Sequence, residues 1–149
     1  EKVARGIFGY LYPWGNYNNS QLSNFDESQD PWEPGTTPVG YFNGDHQNTQ
    51  DSKSPFGACD MAGNVWEIVA DRYHPKAYSL RMDGAINPTG PDADSLRRLR
   101  QRLPTYVTRG GSFLCSDVWC SGYQPGSRQA QENDSPSHHT GFRCVKDVD

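Results

Sequence analysis

The sequence is poor in aliphatic side chains: only 24 of its 149 residues are Leu, Ile, Val or Phe. No run approaches the roughly 18 apolar residues that a membrane-spanning helix needs, so no transmembrane segment is expected in this chain. Four cysteines are too few for a domain of this length built on disulfides. There is no excess of cationic residues, since the net charge is −4, and this excludes a broad electrostatic attraction to nucleic acid.

Aromatic side chains and turn residues are abundant instead. Aromatic residues make up 12% of the sequence and the net charge is small, so a folded chain is expected rather than a disordered one. Gly and Pro contribute 15 and 11 residues, which places much of the backbone in turns and loops. The composition therefore predicts an α+β domain with little regular secondary structure and a core built from aromatic rings.

A few periodic segments indicate where regular elements lie. A short turn of helix followed by a strand over residues 65–70 is expected within residues 55–73. Leucines at positions 96, 99 and 103 predict an amphipathic helix over residues 95–103. Its four arginines form a solvated face or, as the alternative, meet an anionic partner. Further strands are expected at residues 106–109 and within residues 141–145.

Two thiols form the most informative cluster. Cys115 and Cys120 lie five positions apart, after the turn formed by Gly110 and Gly111 and among aromatic residues. As thiolates they could hold a soft ion such as Cu(I), or they could cycle between dithiol and disulfide. Two inert buried thiols or a structural local disulfide are the alternatives that the spacing leaves open.

Acidic side chains in Gly-rich loops suggest a hard cation. Asp60 and Glu67 form one group, and Asp26, Glu27 and Asp30 form another. Carboxylates and free backbone carbonyls are the ligands that Ca²⁺ prefers, although exposed loop acids explain the same pattern. The four histidines have no zinc-site spacing, and His138 and His139 either line the thiol cavity or are surface residues. Neither a serine-hydrolase elbow nor a Gly-rich phosphate loop is present.

Six motifs occur in order along the chain: Tyr12-Pro13-Trp14-Gly15-Asn16, Thr37-Pro38-Val39-Gly40, Gly57-x-x-Asp60-Met61-Ala62-Gly63-Asn64-Val65-Trp66-Glu67, Asn87-Pro88-Thr89-Gly90-Pro91, Arg109-Gly110-Gly111-Ser112 and Gly141-Phe142-Arg143-Cys144. Together they resemble the formylglycine-generating enzymes, also called sulfatase-modifying factors. The resemblance covers nearly the whole chain and implies one domain over residues 1–149, with an α+β fold related to the C-type lectins. It matches the C-terminal part of such a domain, so the N-terminal half is expected to come from a missing segment or a partner chain.

The resemblance implies a copper-dependent oxidase. Cys115 and Cys120 fall on the two catalytic cysteines of the family and would bind Cu(I), with the Ser112 hydroxyl beside the oxygen pocket. The implied substrate is a Cys in a Cys-x-Pro-x-Arg motif of an unfolded sulfatase polypeptide, which O2 oxidises to Cα-formylglycine. The residues expected to contact this substrate are Trp119, Arg128 and His139.

The resemblance also implies two structural calcium sites, which favour an exported protein, periplasmic or secreted. In the second site Phe25 and Trp32 would contribute backbone oxygens. The residues of the first site are Asp60, Gly63, Val65 and Glu67, and those of the second are Asn24, Phe25, Asp30 and Trp32.

Departures from the family pattern keep other functions open. The segment between the two thiols, residues 116–119, differs from that of many catalytic members, and Ala4 stands where some members have a cysteine. Cys144 is thus free or paired with Cys59 or another segment. A non-catalytic, calcium-stabilised binding or accessory subunit of a larger assembly is the main alternative. A relative of the ergothioneine-type sulfoxide synthases is less consistent, because the chain lacks their iron motif.

Overall fold

A computed structural model describes residues 1–80, 86, 88–92 and 105–146 of the chain. Four strands form one sheet in the order β3-β2-β1-β4; β1 pairs antiparallel with β2 and parallel with β4, and β2 pairs antiparallel with β3. The elements are α1 (Lys2–Arg5), β1 (Trp66–Arg72), α2 (Ala77–Leu80), β2 (Thr105–Arg109), the 3₁₀ helix η1 (Ser121–Tyr123), β3 (Gln129–Glu132) and β4 (Thr140–Gly141).

The two central strands owe their positions to β-branched and aromatic side chains. In β1, Trp66 is buried while its neighbours are partly exposed, and in β2 both Val107 and Thr108 are buried. The pairing of β1 with β2 shifts register between Ile68 and Arg72, which bends the far end of β1.

Side-chain hydrogen bonds hold the long irregular region before β1. The buried Asn64 amide accepts a hydrogen bond from the backbone N–H of Thr37 at 3.1 Å and donates to the Thr37 carbonyl at 3.3 Å. The Asn24 amide donates to the Gly35 carbonyl at 2.8 Å, and the Ser23 hydroxyl donates to the Ala62 carbonyl. Since a loop has no strand ladder to pair its backbone groups, these amides and hydroxyls satisfy them instead.

Aromatic rings form the core, as the composition predicts. Tyr12, Trp66, Cys115 and Tyr123 make up a buried cluster, against which Phe25 and two further residues, Trp14 and Cys120, pack. The Tyr123 ring stacks on Phe25 at 5.3 Å and on Tyr12 at 6.0 Å between centroids. The core therefore closes directly around the two thiols of the expected site.

The structure contains some of the elements that the sequence predicts and differs at others. The expected strands at residues 65–70 and 106–109 are found as β1 and β2. The expected helical turn before β1 is wrong, since residues 61–65 form bends in which Gly63 and Asn64 adopt positive φ. The last expected strand is only the two-residue β4, and the expected helix over residues 95–103 lies outside the described residues. None of the helices in the described ranges is long and apolar enough to cross a bilayer.

Candidate functional site

The two thiols lie together at one end of the sheet. The backbone N–H of Phe113 donates to the Asn64 carbonyl and that of Cys115 donates to the Ser112 carbonyl, so a tight turn after β2 positions the first thiol. Cys120 ends the next turn, and its Sγ accepts a hydrogen bond from the Gly122 N–H at 3.3 Å at the start of η1. The two Sγ atoms are 2.7 Å apart. Cys115 is buried and Cys120 is half-buried, so solvent reaches the pair from one side.

Burial distinguishes the two sulfurs. Burial, followed by the hydrogen bond with Cys120, raises the pKa of Cys115 to about 12, while the backbone N–H and hydroxyl of Ser112 act in the opposite direction. Near neutral pH Cys115 is therefore a thiol, and an ion that binds both sulfurs must displace its proton. The structure thus brings Ser112, Cys115 and Cys120 together, as the sequence predicts.

A close backbone approach fixes the turn before Cys115 against the helix after Cys120. Gly111 has φ +72°, and a methyl group on it would overlap the backbone nitrogen of Tyr123 and lie 2.6 Å from the Tyr123 Cα. Only glycine fits such a contact in a left-handed conformation. The two thiols are therefore held in register by packing of their flanking segments as well as by their short separation in sequence.

Arg143 forms an ion pair with the carboxylate of Glu67, a residue of the first expected calcium site. Its Nε donates to Glu67 Oε2 at 2.6 Å and its Nη2 donates to Glu67 Oε1, while other N–H groups reach the carbonyls of Cys59 and Asp60 at 3.0 and 3.1 Å. The Asp60 carboxylate accepts from the Gly40 N–H at 2.7 Å, and desolvation raises the pKa of this carboxyl group. The Glu67 carboxylate is therefore already neutralised by a protein cation. Calcium binding at this site requires Arg143 to leave Glu67.

The second expected calcium set is likewise engaged in protein hydrogen bonds. Asp30 accepts from the Ser28 hydroxyl at 2.7 Å and from the Trp32 N–H at 2.8 Å, and the Asn24 amide points to Gly35. The described residues contain no group of three or more His, Cys, Asp or Glu side chains arranged to hold a metal ion. Both calcium sites stay predictions.

The three residues expected to contact a substrate lie in different surroundings. Trp119, between the two thiols, is 86% exposed. His139 packs edge-to-face against His138, its buried Nδ1 has no partner in the described part of the chain, and desolvation lowers its pKa. The Arg128 guanidinium lies over Tyr78, at 4.4 Å from the ring centroid, and over Tyr73. The structure does not bring Arg128 to the thiols.

Comparisons with known proteins identify the family of the chain. The family profile described as "Sulfatase-modifying factor enzyme 1-like domain" matches residues 1–148. The chain belongs to this family. A formylglycine-generating enzyme of Thermomonospora curvata is 32% identical, covering 99% of this chain and 46% of that protein. The "Inactive C-alpha-formylglycine-generating enzyme 2" of Mus musculus is 26% identical, covering 97% of this chain and 40% of that protein.

A solved structure is similar to this chain in its fold. CarF matches with a TM-score of 0.57 and 20% sequence identity, covering 99% of this chain and 44% of that one. The chain spans about half the length of the curated relatives it matches. The loop-rich α+β fold is confirmed, and the relation to C-type lectins stays a prediction.

Three residues near the thiols were missed by reasoning from the sequence. The first is Trp66, whose ring and the Cys120 sulfur both lie against Gly122. A methyl group on Gly122 would overlap the ring and lie 2.7 Å from Cys120 Sγ. The Gln129 amide lies 3.8 Å from the same sulfur. Tyr123 is buried, and within the described residues its hydroxyl has no hydrogen-bond partner. The motif that contains Trp66 indicates the family and a calcium site but not a ring beside the thiols, whereas Gln129 gives no signal in sequence.

The ion pair between Arg143 and Glu67 predicts a competition with calcium. Replacing Arg143 by methionine leaves Glu67 and Asp60 without their cation, so calcium should raise the melting temperature of Arg143→Met more than that of the parent protein. Calcium titrations followed by thermal unfolding measure both shifts. Glu67→Gln is the control and should lose the response. Equal calcium shifts in the parent and Arg143→Met would contradict competition at this site.

Proposed function

We propose that the protein is the thiol-bearing part of a copper-dependent oxidase that converts a cysteine of a sulfatase-type Cys-x-Pro-x-Arg motif to Cα-formylglycine with O2. The supporting observation is the pair of sulfurs, Cys115 and Cys120, that lie 2.7 Å apart with solvent access on one side. Family membership and the names of the relatives support a sulfatase-modifying role.

The chemistry of the donor set fits Cu(I). Thiolates select soft monovalent copper over harder ions, and Cys115 and Cys120 are the two sulfurs that would hold it. Bound copper would supply electron transfer to O2. In a balanced reaction one oxygen atom enters the aldehyde and the substrate sulfur leaves as hydrogen sulfide. The other oxygen atom becomes water, with two electrons and two protons from an external thiol reductant.

The remaining residues would orient the substrate and exclude water. Trp66, Tyr123 and the buried Ser112 close the inner side of the thiol pair, which leaves the outer side of Cys120 for the substrate sulfur. Trp119 is exposed beside that opening and is proposed to contact the substrate polypeptide. Contacts of His139 and Arg128 with the substrate stay predictions.

A covering segment is part of the proposal. Apolar side chains are exposed within the first eleven residues, which fits a surface covered by a further segment or a partner chain. These side chains are Val3, Ile7, Phe8 and Leu11.

Turnover of a short peptide tests the proposal. The protein, copper, O2 and a thiol reductant are incubated with a peptide bearing Cys-x-Pro-x-Arg, and mass spectrometry follows loss of the thiol and appearance of the aldehyde. A peptide with Ser in place of Cys is the control. Copper-loaded protein that leaves the cysteine peptide unchanged would contradict the oxidase proposal.

Gln129 is expected to position the sulfur of Cys120. Its amide is the one side-chain N–H donor at that sulfur among the described residues, so Gln129→Leu should weaken Cu(I) binding about tenfold, as loss of an outer hydrogen-bond partner does. Anaerobic titration against a competing chelator measures the affinity. Gln131→Leu is a matched control, because the Gln131 amide donates to the backbone carbonyls of Glu132 and Ser135 and not to a sulfur. Equal affinities for the two variants would remove this role from Gln129.

A non-catalytic binding or accessory subunit is the second candidate. The similarity to a relative named as inactive, and the unusual residues between the thiols, favour it. Both functions require the same fold, so thiol chemistry separates them. Reduced protein that binds no Cu(I) but associates firmly with another protein would favour the accessory role.

A further inference from the structure

A cavity of about 340 Å³ lies over the face of the sheet that carries Val107. This volume is within the range of small-molecule sites in proteins. Its apolar walls are formed by Val107, Ala77, Pro88 and Pro91. Three guanidinium groups and two carboxylates also line it, namely Arg72, Arg109, Arg128, Glu1 and Asp71, so the cavity carries an excess of positive charge.

The cavity and the thiols lie on opposite faces of the sheet. Side chains of successive strand residues point to opposite faces, and Val107 and Arg109 of β2 line the cavity. Thr108 lies between them and pairs with Gln129, whose amide reaches Cys120 on the other side. A ligand in the cavity would therefore bind away from the expected oxidase chemistry.

Two of the arginines that line the cavity differ in the hydrogen bonds and ion pairs that they make. Arg109 donates to the carbonyls of Pro125, Gly126 and Ser127, donates to the Tyr78 hydroxyl at 3.1 Å, and pairs with Glu1 at 3.3 Å. Arg128 makes no hydrogen bond or ion pair in the described part of the chain. Among the residues that the structure describes, its guanidinium contacts the rings of Tyr78 and Tyr73, at 4.4 and 5.5 Å from their centroids.

A guanidinium that lies over aromatic rings keeps N–H groups available for a planar anion. The N–H groups of Arg128 lie in the plane of its guanidinium, and two of them match the two oxygens of a carboxylate. Asp71 also lines the cavity and opposes an anion there, whereas the Glu1 carboxylate is already neutralised by Arg5 and Arg109. The apolar walls suit a ligand with a compact hydrocarbon body.

We propose that this cavity binds a small organic carboxylate with an apolar, ring-sized body, whose carboxylate pairs with Arg128. The ring of the ligand packs between Ala77 and the two prolines. This binding is independent of copper and of Cys115 and Cys120.

Calorimetric titration of the protein with benzoate tests the site. Saturable 1:1 binding is expected, and Arg128→Met should weaken it about 10- to 100-fold, the effect of losing a charge-assisted bidentate contact. Arg128→Lys keeps the charge but not the planar fork, so its affinity should fall between the two. Asp71→Asn should strengthen binding about 2- to 5-fold by removing a repulsive charge.

Controls separate this site from general charge effects. Lys53→Met, which removes a cation paired with Asp51, should bind benzoate like the parent protein. Neutral benzamide should bind much more weakly than benzoate, and inorganic phosphate tests whether the apolar body is needed. Thermal unfolding confirms that each variant is folded. Absence of saturable benzoate binding, or equal affinity in folded Arg128→Met, would overturn the proposal, and neither result bears on copper binding.

Discussion

Replacing either Cys115 or Cys120 by serine is expected to abolish tight Cu(I) binding by the protein. Each sulfur is one of the two soft ligands of the proposed site, and a hydroxyl is a poor ligand for monovalent copper. The affinity should fall by well over the roughly 100-fold that loss of an outer hydrogen-bond partner costs. Anaerobic titration of reduced protein against a chromogenic chelator should give one copper per chain for the parent and none for either variant.

The other two cysteines are matched controls for this experiment. All four cysteines are free thiols, and the Cys59 sulfur contacts the Gly40 region whereas Cys144 is exposed. Cys59→Ser and Cys144→Ser should therefore retain full copper binding. A folded Cys115→Ser protein that still binds copper with the affinity of the parent would exclude the two-sulfur site.

Replacing Gly111 by alanine is expected to destabilise the protein by about 2–5 kcal/mol. A left-handed conformation costs an L-residue about 1–2 kcal/mol, and overpacking against a fixed neighbour costs about 1–3 kcal/mol. Both apply at Gly111, because φ is +72° and the added methyl would overlap the Tyr123 backbone. Urea unfolding followed by tryptophan fluorescence gives the free energy of unfolding for each variant.

Gly57 separates the two contributions. Its φ is +78°, yet a methyl group there would have no atom within 4 Å, so Gly57→Ala should show the backbone cost alone. The difference between the two variants measures the contact of Gly111 with η1. If both variants lose the same free energy of unfolding, the contact of Gly111 with the Tyr123 backbone does not contribute to stability. Copper affinity should fall in Gly111→Ala but not in Gly57→Ala.

The local sequence indicated that the two thiols could act together, whereas their catalytic role was implied by the family resemblance. Cys115 and Cys120 are five positions apart in a turn-rich segment, so any compact turn brings their sulfurs close. The strands β1 and β2 were predicted for a similar reason, since their β-branched and aromatic residues favour a pleated, half-buried surface.

Contacts that depend on chain pairing could not be predicted in this way. β3 has the sequence Gln-Ala-Gln-Glu, without apolar alternation, and is a strand because it pairs with β2. That pairing alone brings Gln129 to Cys120. Arg143 meets Glu67 across 76 positions, so residues that suggested a calcium site have a guanidinium between them. Arg128 is likewise directed to Tyr78 by the sheet, away from the thiols.

The sulfur of Cys120 has a second task in the fold, because it accepts the Gly122 N–H that begins η1. Alkylation of that sulfur, or its oxidation to a disulfide, removes the negative charge that a thiolate carries, so the sulfur becomes a weaker acceptor and the bond weakens. The 3₁₀ turn, and Tyr123 within it, would then loosen when the sulfur is alkylated or oxidised. Modification of Cys120 at the surface would thus reach the buried ring stack of Tyr12, Phe25 and Tyr123, so the packing of the interior depends on the chemical state of one thiol.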